Sequence, residues 1–224
     1  MAKVITLISP KGGVGKTTIA LVLAQEFAHR GHRVVLIDAD PTGNIVSWAR
    51  SLEAPPRGIQ VDHPSPEAGF YDVIDRVPED TDFVVVDTGG ITNETVGEAV
   101  GESDLVLIPV GGNQMEANLV LHAEDLVRKI TRKTRREIPY AVVKSQTSSF
   151  MDRNQLAILR AIDESPLSVL DVGLSRRSSF NALTQLGKTV HEMTTDDVAN
   201  PRPAIENSRA LGDAVIAQLE TIDA

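Results

Sequence analysis

The sequence predicts an α/β fold in which a doubly wound, mainly parallel sheet carries helices on both faces. Apolar runs alternate with helical patterns along the 224 residues, the order typical of parallel sheets. Phe83–Val86 and Leu105–Val110 are apolar at every position, as expected for strands covered on both faces. A glycine-rich segment joins the first apolar run to the first helix. We therefore expect ligands at the carboxyl ends of the strands and treat residues 1–224 as a single domain.

The first half of the chain supplies three of the predicted strands and two helices. Glycine at position 31 ends the first helix, and Gly58 precedes a weak strand. In order, the elements are the strand Val4–Ile8, the helix Thr17–His29, the strand Arg33–Ile37, the short helix Pro41–Leu52 and the strand Ile59–Val61.

The second half continues the alternation after the apolar strands Phe83–Val86 and Leu105–Val110. A long amphipathic helix is the clearest element, because its apolar residues recur with helical spacing. The remaining elements are the helix Met115–Ile130, the strand Tyr140–Val143, the helix Gln155–Ile162, a short apolar element Leu167–Leu170, and the helices Phe180–Leu186 and Ala204–Ile222.

Composition narrows the class of protein. The chain has no cysteine, which excludes disulfides and cysteine-ligated clusters and fits a reducing compartment. No stretch approaches the 18 or so apolar residues of a membrane span, and we expect no signal peptide, because Met1, Ala2 and Lys3 lead straight into the first strand. The formal net charge is −9, so any contact with nucleic acid must come from a local basic patch.

The segment after the first strand has the pattern of a phosphate-binding loop. Glycines let successive backbone N–H groups converge on phosphate oxygens, and the next helix points its positive end at the same place. Lys16 would reach the β- and γ-phosphates, and the Thr17 hydroxyl would bind Mg²⁺. The generic pattern has glycine where this chain has Pro10, and we expect Gly12 and Gly13 to supply the permissive backbone. The segment reads Pro10, Lys11, Gly12, Gly13, Val14, Gly15, Lys16, Thr17, Thr18.

Two acids follow the second strand. Asp38 is placed to hold the water shell of a Mg²⁺ ion, and Asp40 to position or polarise an attacking water. The alternative is that one or both merely cap the helix that begins near Pro41. The residues alone leave both interpretations open.

A third acid ends the strand Phe83–Val86. Asp87 has the Walker B position and would contact Mg²⁺ directly or through water. Gly89 and Gly90 after it predict a mobile turn that senses the γ-phosphate. The alternative is an ordinary acid at a strand end.

A basic run closes the long helix. Six cations within nine residues suggest a patch that binds nucleic-acid phosphates, although a solvated helix end would also carry cations. The run consists of Arg128, Lys129, Arg132, Lys133, Arg135 and Arg136.

Over nearly its whole length the sequence resembles the ParA family of partition ATPases, which have a deviant Walker A loop. Lys11 matches the signature lysine of that group, Asp38 and Asp40 its second acidic motif, and Asp87 its Walker B acid. The stretches Leu174–Phe180 and Gly187–Glu192 are similar to the carboxyl-terminal pattern of the short, plasmid-type members. Those members lack an amino-terminal DNA-binding extension, and we expect the extension to be absent here as well.

The resemblance implies ATP and Mg²⁺ as cofactors and a slow, partner-stimulated ATPase. It implies that Lys11 reaches across a homodimer to the other subunit's nucleotide, and that Lys11, Lys16, Asp38 and Asp40 serve hydrolysis. The dimer would bind DNA without sequence preference, with Arg176 and Arg177 as further contacts. A ParB-like or other cargo adaptor would stimulate release in the bacterial cytoplasm, with the ATP-bound form on the nucleoid.

Two departures from the family pattern lie near the expected switch regions. Thr42 stands where the family usually has glutamine, and Thr88 follows Asp87 where proline is common. The resemblance to the family therefore supports nucleotide binding by this chain more strongly than it supports the family's rate of hydrolysis.

Other functions fit less well. A membrane-cycling relative needs a basic amphipathic tail, whereas residues 211–224 contain no Lys or Arg. Nitrogenase-type reductases need cysteines, and a phosphoryl-dependent ligase would not explain Lys11. The alternatives that remain are an accessory ATPase of conjugation or DNA transfer and a positioning ATPase for another cargo.

Overall fold

The fold was obtained as a computed structural model, which describes residues 2–52, 54, 56–65, 67–90, 94–148 and 151–223. Its strands form one sheet, and every pair of neighbours in it is parallel. The strands are β1 Lys3–Ser9, β2 Val34–Ala39, β3 Ile59–Asp62, β4 Phe83–Gly90, β5 Leu105–Val110, β6 Tyr140–Thr147 and β7 Leu174–Ser175.

Helices separate most of the strands along the chain. They are α1 Lys16–His29, α2 Asn44–Ser51, α3 Phe70–Asp75, α4 Glu94–Gly101, α5 Gln114–Thr134, α6 Arg153–Asp163, α7 Ser178–Leu186 and α8 Arg202–Asp223. None of the helices in the described ranges is long and apolar enough to cross a membrane.

The strand order places β1 in the middle of the sheet. The order is β3-β2-β4-β1-β5-β6-β7. From β1 the chain goes to β2 and β3 at one edge, returns to place β4 between β2 and β1, and then continues through β5 and β6 to β7 at the other edge. This reversal is the topological switch point of a doubly wound sheet, where ligands bind at the carboxyl ends of the strands. The predicted doubly wound parallel sheet is therefore confirmed, and the glycine-rich loop leaves the sheet at its switch point.

Helix α1 is the centre of the largest apolar cluster. Residues from Ile19 to Phe27 are all buried, because α1 lies between the sheet and α8. The Phe27 ring stacks on Phe83 of β4 with 4.3 Å between ring centroids. Because α1 is buried on most sides, it is apolar nearly all round and has only a weak amphipathic pattern.

The structure contains three elements that the sequence pattern did not indicate. Helix α3 has only six residues, and α4 contains Gly97 and Gly101, which are poor helix formers. Strand β7 has two residues. The apolar element Leu167–Leu170 contributes a single bridge from Val169 to Val142. The predicted start of α2 near Pro41 is also wrong, because Gly43 adopts φ +65° and the helix begins at Asn44.

Gly173 allows β7 to approach β6 closely. A Cβ atom at this position would lie 2.3 Å from the carbonyl oxygen of Lys144, which is backbone and cannot give way. We expect Gly173→Ala to reduce the free energy of unfolding by about 2 kcal/mol. Gly97→Ala is the matched control, since its Cβ would meet only Ile130 at 3.6 Å and alanine favours the helix by about 0.5–1 kcal/mol. Urea unfolding of both variants should therefore show changes of opposite sign.

Candidate functional site

The glycine-rich loop joins β1 to α1 and turns through two left-handed residues. Gly13 has φ +79° and Gly15 has φ +96°, values that other residues rarely adopt. Gly12 does not have a positive φ, and a Cβ there would meet no atom within 4 Å. The permissive positions are therefore 13 and 15, in place of the predicted 12 and 13. Val14 between them is buried.

The end of β6 holds the loop from the side. The hydroxyl of Ser145 donates to the carbonyl oxygen of Val14, and Gln146 Nε2 donates to the carbonyl oxygen of Gly13 at 2.6 Å. Sequence analysis missed both residues. They come one residue after the predicted strand Tyr140–Val143, at the edge where ligands bind, and that position was the available signal.

Lys16 and Thr17 are the first residues of α1, and one of them contacts the Walker B acid. The Thr17 hydroxyl donates to Asp87 Oδ2 at 2.6 Å. Lys16 is buried, with 8% of its surface exposed. Thr18 follows on the same turn. The structure thus brings together the loop, the helix start and the end of β4, as the sequence predicted.

Asp87 is fully buried, and its second oxygen is unused. Oδ1 has no hydrogen-bond partner in the described part of the chain. Burial raises the pKa of Asp87 to about 7, although the Thr17 hydroxyl and the Lys16 charge oppose the rise. Asp38 and Asp40 add to it by repulsion. A carboxylate in this position favours a nearby cation.

Asp38 lies beside Asp87, because the two residues are in register on β2 and β4. Its Oδ2 accepts the backbone N–H groups of Ile45 and Val46, both at 2.9 Å. Burial raises the pKa of Asp38 against these hydrogen bonds. The capping alternative therefore describes Asp38, whose Oδ1 has no partner among the described residues and stays available.

Asp40 lies on the turn before α2. Its Oδ1 accepts both the N–H and the hydroxyl of Thr42 at 2.9 Å. Asn44 in turn donates from Nδ2 to the Thr42 hydroxyl at 2.9 Å. The residue that departs from the family pattern at position 42 therefore fixes the orientation of the Asp40 carboxylate.

The segment after Asp87 is a continuation of β4. Gly90 is paired with Ser9 of β1, and the Thr88 hydroxyl donates to the carbonyl oxygen of Leu7 at 2.7 Å. A Cβ at Gly89 would lie 3.2 Å from Pro41. The prediction of a mobile turn at Gly89 and Gly90 is therefore wrong: both are strand residues, and Gly89 packs against the Asp40 turn.

A cavity of about 210 Å³ opens beside the loop. Phe180 and Asn181 of α7 contribute to one wall, and Arg177 Nε is buried there without a hydrogen-bond partner in the described ranges. The structure thus places Arg176 and Arg177 next to the loop. The cavity is lined by Gly15, Thr18, Ser145, Gln146, Arg176 and Arg177, among others.

The basic run covers the end of α5 and the two residues after it, and three of its six cations contact other residues of the described chain. Arg128 pairs with Glu124 at 2.8 Å, Lys129 pairs with Asp125 at 2.7 Å, and Arg136 donates to the carbonyl oxygen of Ser103. The other three are exposed and form no ion pair within the described chain: Arg132, Lys133 and Arg135.

Lys11 begins the loop and is partly exposed, and its backbone N–H donates to Ser9 Oγ at 3.3 Å. Its predicted role toward a second subunit stays a prediction.

Sequence comparison finds relatives that span nearly the whole chain. A protein named ParA from Rhizobium radiobacter is 30% identical over 217 residues, which cover 96% of this chain and 97% of that protein. A protein named virC1 from the same organism is 25% identical over 209 residues, 87% of each chain.

Comparison of folds agrees. A putative plasmid partition protein from Borrelia burgdorferi, solved with AMPPNP, superposes with a TM-score of 0.73 over 97% of this chain and 100% of that one, at 18% identity. In sequence, residues 5–196 match the family model described as the CobQ/CobB/MinD/ParA nucleotide binding domain. With most of its length matched, and with the loop, Thr17 and Asp87 assembled as described, the chain belongs to the CobQ/CobB/MinD/ParA nucleotide-binding family.

Proposed function

We propose that this chain is an ATP-dependent switch ATPase that dimerises, binds DNA without sequence preference, and segregates a plasmid or chromosome with a cargo-bound partner. The observation that carries the proposal is the Thr17–Asp87 pair at the foot of the phosphate loop, with an unused carboxylate oxygen beside it. Similarity to a ParA protein over 96% of this chain supports the proposal that the cargo is a plasmid or chromosome.

The residues present fit ATP and Mg²⁺. Mg²⁺ usually binds one or two carboxylates together with phosphates and waters, and no cluster of three or more metal-binding side chains exists in the described ranges. Thr17 and Asp87 would hold the ion, with Asp38 Oδ1 close to its water shell. The ion would supply charge that stabilises the transferring phosphoryl group.

Lys16 and the loop N–H groups would bind the β- and γ-phosphates. The base and ribose would enter the cavity beside Gly15, where Phe180 supplies an apolar wall and Arg177 an unpaired donor. Asp40, held by Thr42, would position the attacking water. Asp38 would act on this water indirectly. It accepts hydrogen bonds from the first turn of α2 and so fixes the turn on which Asp40 lies.

The two lysines of the loop would divide their work between subunits. Lys16 is the first residue of α1 and would serve the bound nucleotide, whereas Lys11 is a partly exposed residue near the start of the loop. Two facing triphosphates repel each other, so a lysine reaching across makes ATP part of the dimer interface. DNA would then bind Arg132 and Lys133 at the end of α5 and Arg135 just after it, the exposed cations of the basic run that form no ion pair in the described chain, presented twice in the dimer.

A second candidate uses the same site. An accessory ATPase of conjugation or DNA transfer would bind one particular DNA element, and we retain it because of the similarity to the virC1 protein over 87% of the chain. Competition between random and specific DNA fragments separates the two functions. Equal affinity for unrelated fragments supports segregation, and a strong preference for one element supports transfer.

Removal of the Lys16 ammonium should weaken ATP binding at least tenfold, about 1.4 kcal/mol, because it is the buried cation at the phosphate end of α1. Calorimetry with Mg²⁺ and ATP gives the affinity of Lys16→Ala. Arg202→Ala is the control, since Arg202 is exposed and its ion pair among the described residues is with Glu206 of the same helix. A loss of less than about threefold for Lys16→Ala would exclude the phosphate-loop assignment.

Lys11→Ala should bind ATP with near-normal affinity yet remain monomeric. Its DNA affinity should fall as well, because a single patch of few cations binds much more weakly than two held together. Sedimentation with Mg²⁺ and ATP measures the oligomer. If the variant dimerised with ATP and held DNA normally, the proposed role of Lys11 across the interface would be wrong.

The nucleotide-free protein should lose stability as pH rises. The folded state keeps Asp87 protonated up to about pH 7, whereas its ordinary pKa is 3.8. Between these values the folded state binds more protons, so the free energy of unfolding falls with pH. We expect a loss of roughly 2 kcal/mol between pH 5 and 8 that is absent in Asp87→Asn.

Urea unfolding of both proteins at the two pH values measures this loss. Mg²⁺ with ATP should stabilise the wild type more at pH 8 than at pH 5, because the cation favours the ionised carboxylate. Parallel pH profiles for wild type and Asp87→Asn would show that Asp87 is not the titrating group.

A further inference from the structure

Gln146 is the extra residue of a β-bulge near the end of β6. Ser145 pairs with Leu174 and Thr147 pairs with Ser175, so two steps along β6 match one step along β7. Gln146 between them has φ +53°, and in the described chain only one other non-glycine residue, Arg135, has a positive φ. Such a conformation is strained for glutamine. Bulges of this kind re-aim a side chain and occur next to active sites.

The bulge aims the glutamine at the phosphate loop. Nε2 of Gln146 donates to the carbonyl oxygen of Gly13 at 2.6 Å, and the side chain is otherwise exposed. An exposed side chain contributes little to the core, so packing does not explain the strained backbone. The neighbouring Ser145 hydroxyl donates to the carbonyl oxygen of Val14. Two successive loop carbonyls are therefore turned toward β6.

In a trans peptide the C=O and the following N–H point in opposite directions. Holding the carbonyl of Gly13 toward β6 therefore turns the N–H of Val14 away from it, and holding the carbonyl of Val14 does the same for the N–H of Gly15. These N–H groups belong to the segment that would receive the phosphates. The side chains of β6 thus set the direction of the loop's donors before any nucleotide arrives.

We propose that Gln146 is a positioning residue for nucleotide binding, which clamps the loop through the Gly13 carbonyl. The inference rests on the proposed nucleotide-binding function. The strained backbone at Gln146 is retained because it delivers the amide to the loop. Binding and stability should therefore respond in opposite directions when the side chain is removed and the backbone is relaxed.

Gln146→Gly tests this, because glycine adopts the same φ without strain and has no clamp. Its urea midpoint without nucleotide should equal or exceed that of the wild type, while its ATP affinity by calorimetry should fall about fivefold, as expected for one lost hydrogen bond. Gln146→Met keeps the length of the side chain without a donor. It should lose ATP affinity to the same degree, with no gain in the urea midpoint.

Two outcomes would overturn the proposal. In one, Gln146→Gly binds ATP as tightly as the wild type. In the other, its urea midpoint and its affinity fall together, which would make Gln146 a structural residue of the β6–β7 edge. A wild-type protein that binds no ATP would overturn the nucleotide-binding function itself, so the two failures are distinguishable.

Discussion

The hydrogen bond between the Thr17 hydroxyl and Asp87 is the contact on which the arrangement of the site depends. It joins the first turn of α1 to the end of β4 across the sheet's switch point, at 2.6 Å and around a carboxylate with no exposed surface. Burying that carboxylate is unfavourable without a partner. One oxygen is satisfied by Thr17, and the other is left for a cation. The loop, the helix start and the acid are therefore held in a geometry that a nucleotide and a metal ion would complete.

Much of this site follows from local sequence rules, because each motif follows an apolar strand and parallel strands end at one edge. That reasoning put Lys16, Thr17, Asp38 and Asp87 at this edge of the sheet, where the structure also has them. Their roles toward a nucleotide and a metal ion stay predictions. The register of β2 and β4, which sets Asp38 beside Asp87, was not predicted and is known from the structure alone. Residues whose role depends on their own strand end are thus predictable.

The contacts that were missed depend on tertiary neighbours. Gln146 reaches Gly13 only because β6 bulges against β7, and a two-residue strand such as β7 has no periodicity to detect. Gly89 was expected in a turn, since glycines often form turns, but it lies within β4. The next residue, Gly90, pairs with Ser9 of β1, and a Cβ atom at Gly89 would lie 3.2 Å from Pro41. Helix α4 was missed because its glycines weaken the local signal, while burial of Val96 and Val100 stabilises it.

The central position of β1 has a mechanical consequence. The strand is hydrogen-bonded on both sides, to β4 and to β5, so the loop that leaves it has a rigid base. The end of β6 and the start of α7, which line the cavity beside the loop, are in the opposite situation, because among the described residues β6 pairs there only with β7, a strand of two residues. A molecule in that cavity would therefore have a firmly hydrogen-bonded base on one side and a much less extensively paired wall on the other.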